Sequence, residues 1–96
     1  MPYYSTNEYK LINFERSKTK NKKYDAILQN KLNGKMVKIP FGDNRYEQFK
    51  DSTGLGLYSN KDHGDLKRRQ LYRQRHQKDI KKGYYSPGYM AYYFLW

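Results

Sequence analysis

Apolar and polar residues alternate through KYDAILQNKLNGKMVKIPFG, residues 23–42, on either side of Asn33-Gly34. A period of two marks a strand with one buried face, and Asn-Gly supplies the two positive φ values of a two-residue type I′ turn. The pattern predicts a β-hairpin over about 23–41, with Leu32 opposite Lys35, Asn30 opposite Val37, Leu28 opposite Ile39 and Ala26 opposite Phe41. Directly opposed residues share a face, so Ala26, Leu28, Val37, Ile39 and Phe41 form one apolar side. Pro40 has no N–H for a ladder, which places the second strand at a sheet edge or ends it there.

After residue 62 the period lengthens. Asp62 or Asp65 is suited to cap a helix, the interior has no Gly or Pro, and Lys81, Lys82 and Gly83 suit its end. The expected helix covers about 64–82, and Leu66, Arg69, Tyr72, Arg73, His76 and Ile80 fall within about 120° of arc, as a packed face should. Two guanidiniums lie inside that stripe. Lys67, Arg68, Arg75 and Lys78 occupy much of the opposite side. Ser86-Pro87 suits an N-cap and first helical position, predicting a short aromatic helix over about 87–95 that gathers Tyr89, Tyr92, Tyr93 and Trp96.

Elsewhere the pattern is weaker. Tyr9, Leu11, Ile12 and Phe14 suit a short strand, while SKTKNKK, residues 17–23, has nothing to bury. Residues 1–22 therefore read as a basic N-terminal arm that docks through 9–14, and residues 23–96 as a small α+β domain. Residues 42–62 read as a loop, with Tyr46 and Phe49 on one helical turn and GLGLYS extended.

Composition sharpens the picture. The chain has 96 residues, enough for one domain, and only 36% are hydrophobic, with Tyr supplying 12. The expected core is thin. Residues 83–96 contain seven aromatic rings and no charged side chain, whereas the helix before them carries eight bases against two acids. Some of these rings are expected to fold over the hairpin's apolar face. The rest, exceeding what that face covers, are expected to meet another chain, which makes Tyr84, Tyr85, Tyr89, Tyr92, Tyr93, Phe94 and Trp96 the partner-binding set.

The formal charge is +11, from 20 Lys and Arg against 9 Asp and Glu, and such a field attracts polyanions. Lys67, Arg68, Arg69, Arg73, Arg75 and Lys78 are the candidates for binding phosphate or an acidic surface. With no cysteine, disulfides and thiolate metal sites are excluded. Met1-Pro2-Tyr3-Tyr4 does not open a signal peptide, and no apolar run reaches the roughly 20 residues of a membrane span.

Catalytic constellations are missing. His63 and His76 lack the spacing that puts two metal ligands on one face, and His76 beside Tyr72 reads as a packed histidine. Gly54-Leu55-Gly56 lacks the third glycine of a dinucleotide loop and the lysine of a P-loop. No catalytic residue, metal, cofactor, small-molecule substrate or membrane contact is expected.

The order KYDAIL, GKMVKIPFG, YEQFKD, HGDLKRRQLYRQRH and PGYMAYYFLW resembles a family of small uncharacterised basic proteins of tailed phages and large DNA viruses. Arg75-His76 and Leu95-Trp96 carry most of the likeness. The resemblance implies a viral origin and no activity. Joined to the charge and the aromatic tail, it leads to the expectation of a minor capsid or head-associated virion protein, assembled from the host cytoplasm and docked between larger virion subunits. Packaged DNA is a further expected contact. The alternative expectation is a non-enzymatic accessory protein that binds viral DNA through the basic helix and arm.

Overall fold

A computed structural model describes residues 4–81 and 84–96, the side chain of Asp79 excepted. Their order is β1 (Tyr4–Ser5), β2 (Tyr9–Arg16), β3 (Lys22–Asn30), β4 (Met36–Asp43), a 3₁₀ turn (Ser59–Lys61), α1 (Leu66–Ile80), β5 (Tyr84–Tyr85) and α2 (Pro87–Phe94). The protein is a small single α+β domain. Met1, Pro2 and Tyr3, and the expected helix end at Lys82 and Gly83, lie outside the described residues.

The hairpin forms with a register different from the expected one. Ala26 faces Ile39, Leu28 faces Val37 and Tyr24 faces Phe41, two residues along from the expected pairing. The cause lies in Asn30, whose Oδ1 accepts from the amides of Leu32 at 2.8 Å and Asn33 at 3.2 Å. This side-chain turn competes with the type I′ turn and opens a longer loop in which Gly34 alone has positive φ, at 72°. A two-residue slide preserves parity, so the predicted apolar face survives and gains Tyr24.

Residues 9–16 are not a docking arm. They form β2, antiparallel to β3, in a three-stranded sheet ordered β2-β3-β4. The predicted boundary at residue 22 therefore falls inside a β-hairpin. A bulge between Leu11 and Asn13 sets Ile12 out of the ladder. β4, with Pro40, is an edge strand as expected. β1 pairs with β5, Tyr4 opposite Tyr85.

One sheet face carries the core. Tyr24, Ala26, Leu28, Ile39 and Phe41 meet Met90 and Leu95 of the C-terminal segment, all essentially buried. Each fully buried large side chain contributes about 1.5–3 kcal/mol. On the other face the Lys38–Glu15 ion pair arches over β3 from one edge strand to the other.

The loop after β4 is more ordered than its sequence suggests. Tyr46 and Phe49 do not sit on a helical turn, because Gln48 forms a parallel bridge with Asp62. Nor is GLGLYS extended; it leads through turns into the 3₁₀ segment. The amides of Lys50 and Ser52 donate to the carbonyls of Leu95 and Phe94, which satisfies the end of α2.

Candidate functional site

The tail begins as predicted. Ser86 Oγ accepts from the Tyr89 amide at 3.1 Å, Pro87 occupies the first turn, and α2 follows. Its rings, however, mostly turn inward. Tyr92 is buried, and the Phe94 ring packs edge-on to Phe14 with centroids 4.7 Å apart. Trp96 lies nearly parallel to Tyr72, centroids 4.3 Å apart and planes 6° from coincidence, and His76 stacks on Tyr72 in turn. Trp96 thus leaves the expected tyrosine cluster and joins α1.

This packing buries Tyr92, against the expectation that it meets a neighbour, and leaves Phe94 and Trp96 half-buried. The hairpin face alone has no room for them, but Phe14 from β2 and the Tyr72 face of α1 provide additional apolar surface. Tyr85 and Tyr89 are half-buried against one another. Of the seven predicted partner-binding rings, Tyr84 and Tyr93 stay exposed, at 42% and 46%.

The six predicted cations divide in the same way. Asp65 caps α1, its carboxylate accepting from the amides of Lys67 and Arg68. One turn in, Arg69 Nε donates to the Trp96 main-chain carbonyl at 2.7 Å, and Arg73 Nε donates to the same oxygen at 3.1 Å. Arg69 also lies 4.8 Å over Phe49, and Arg73 lies 4.8 Å over Tyr92. Through these bonds the two guanidiniums clamp the tail. Arg68 pairs with Glu47 at 3.2 Å. Lys67, Arg75 and Lys78 are exposed and have no ion-pair partner among the described residues.

Between α1 and the turn after β4 runs a groove of about 640 Å³, with Trp96 and Tyr72 on its floor and Tyr46, Arg68, Leu71 and Arg75 around it. Asp43 at its edge is engaged by Arg45 at 2.7 Å. Hydrogen bonds from the Arg45 side chain and amide hold that carboxyl well below the usual range.

Sequence reasoning missed a buried polar cluster beneath the other side of the tail. Lys23 donates to Gln48 Oε1, and Tyr24 donates to Asp51 Oδ2. Gln48 Nε2 donates to Asp62 Oδ1 at 2.6 Å and to the Tyr58 carbonyl at 2.8 Å. Asp51 accepts further from Thr53 Oγ1 at 2.7 Å and from the Tyr58 amide. Burial, reinforced by the Lys61 charge, lowers Lys23 to about 8. Burial works to raise the Asp51 carboxyl, but the bonds from Thr53 and Tyr24 outweigh it and hold the group below its ordinary value. These contacts join β3 to residues more than twenty positions away, and no local period announces them. The nearest signal is the presence of Asp and Gln in a glycine-marked loop.

The members of the cluster are occupied in holding the 48–62 loop against β3. His63 Nδ1 accepts from the Asp65 amide at 2.9 Å beside Trp96, while its buried Nε2 has no hydrogen-bond partner among the described residues. Burial and the Arg68 charge lower its pKa. Among the described residues no group of three His, Asp or Glu is arranged to hold a metal ion, and no helix is long and apolar enough to cross a membrane.

No known protein family, curated protein or solved structure matches this chain. The site must be read from its own chemistry.

Proposed function

We propose that the protein is a non-enzymatic nucleic-acid-binding accessory protein of a virus, contacting DNA through the outer face of α1. The observation that carries this reading is the set of exposed cations Lys67, Arg75 and Lys78, without ion-pair partners among the described residues, in a chain of formal charge +11. Unpaired cations on a rigid helix attract phosphates and release counterions on contact. Because Arg69 and Arg73 fix α1 to the tail, the helix presents this face without further ordering. The viral assignment rests on the sequence resemblance.

The test is fluorescence anisotropy of the full chain with labelled duplex DNA across a salt series. Affinity is expected to fall steeply with ionic strength, and Lys67→Ala/Arg75→Ala/Lys78→Ala to reduce the magnitude of the log–log slope by about 3. No binding at low salt, or an unchanged slope in the variant, overturns the reading.

A second reading keeps the protein in the virion shell, docked on larger subunits and facing packaged DNA. The exposure of Tyr84 and Tyr93 at the surface favours it. Mass spectrometry of purified, nuclease-treated particles decides it: presence at fixed copy number supports the shell role, and absence eliminates it.

A further inference from the structure

The cations of α1 are not evenly spread, and what lies between them is informative. Gln70, Gln74 and Gln77 stand at i, i+4 and i+7, within about 60° of one helix face. All three are exposed and make no hydrogen bond to another described residue. Lys67 and Lys78 flank this stripe on one side. On the other, Arg69 and Arg73 share with the three glutamines a shallow groove of about 310 Å³. The arrangement is a row of neutral amides bordered on both sides by positive charge.

A phosphate-binding surface alone does not call for this pattern. Phosphates interact with cations, whereas an amide with free donor and acceptor matches a base edge, and Gln bonds adenine at N6 and N7 simultaneously. A helix lying in the major groove of B-form DNA presents its centre to base edges and its flanks to the two phosphate backbones. The dimensions agree. Gln70 to Gln77 spans about 10 Å along the axis, roughly three base-pair steps, and the whole of α1 is about 22 Å long.

Resting on the nucleic-acid reading above, the geometry points to α1 as a major-groove reading helix for duplex DNA, with Gln70, Gln74 and Gln77 contacting adenine edges and Lys67, Lys78, Arg69 and Arg73 facing the backbones. A-form RNA, whose major groove is deep and narrow, does not admit the helix.

The test selects duplexes with a randomised centre on the full-length protein, followed by anisotropy on the selected site, a scrambled site and duplex RNA. An adenine-containing motif of about three base pairs is expected, bound roughly ten- to a hundred-fold tighter than the scrambled duplex. Gln70→Ala/Gln74→Ala/Gln77→Ala, which raises helix propensity and so preserves α1, is expected to lose that preference while binding the scrambled duplex within about threefold of wild type. A featureless selected pool, a motif that survives the triple substitution, or equal affinity for duplex RNA overturns the inference. Unselective duplex binding leaves the accessory-protein reading standing, whereas no duplex binding at low salt removes both.

Discussion

Replacing Gly42 with alanine tests whether the tail is part of the core. Gly42 has φ of 74°, and a Cβ added there lies 2.8 Å from Leu95 Cδ1 and 3.3 Å from Lys23 Cδ. The left-handed backbone costs an L-residue about 1–2 kcal/mol, and the contact with buried Leu95 adds about 1–3 kcal/mol of overpacking. Reduced freedom of the unfolded chain offsets about 0.4–1 kcal/mol. A net loss of about 2–4 kcal/mol is expected, a large part of the 5–15 kcal/mol typical of domains. Leu95→Val removes the obstructing Cδ1 and by itself costs about 1 kcal/mol. In the double variant the steric component disappears and the backbone component remains, so the loss should be about 1–2 kcal/mol smaller than the sum of the singles. Urea unfolding followed by the fluorescence of Trp96 and by far-ultraviolet circular dichroism measures each term from the midpoint at constant slope. Additivity to within about 0.5 kcal/mol would refute the packing of Leu95 under β4, and with it the assignment of the tail to the interior.

The arginines of α1 should separate in the same assay. Arg73→Met, which loses the bond to the Trp96 carbonyl and the contact with Tyr92, is expected to cost about 1–2 kcal/mol, whereas Lys67→Ala should stay within about 0.5 kcal/mol; equal effects would contradict the clamp. Lys23 predicts an alkaline signature. Its folded value is about 8 against 10.5 when free, so from about pH 8 to 10.5 the unfolded chain holds the extra proton and stability gained from this group rises with pH. The difference in unfolding free energy, wild type minus Lys23→Met, should therefore increase across that window and be flat below it. A flat difference throughout would exclude burial of the ammonium.

Local signals in the sequence were reliable where a side chain acts on its own neighbourhood. The Asp65 and Ser86 caps, the alternation around Asn33-Gly34 and the edge position of Pro40 all correspond to observed structure. The register was lost because Asn30, three residues upstream, competes for the same turn, and two plausible loops differ by an even slide that periodicity does not detect. Arg69 and Arg73 were visible as anomalies on a packing stripe, but their partner is a backbone carbonyl, which has no sequence signature. The interior holds more rings than the hairpin face alone covers because Phe94 meets Phe14 of β2 and Trp96 meets Tyr72 of α1, pairings between distant segments that neither local pattern specifies. Gln48, Asp51 and Asp62 depend wholly on long-range geometry. The amide stripe on α1, by contrast, was present in the spacing of Gln70, Gln74 and Gln77 and became interpretable once the guanidiniums beside it had a fixed place.

Both edge strands of the three-stranded sheet carry an interruption. On one side Ile12 swells out of the ladder, and on the other Pro40 withholds an amide. A polyanion concentrates many copies of a protein like this along its length, the situation in which tyrosine-rich strands are prone to zip together into fibrils. On the nucleic-acid reading proposed above, copies crowded along DNA would meet a bulged strand or a proline at the sheet edges in place of an uninterrupted ladder.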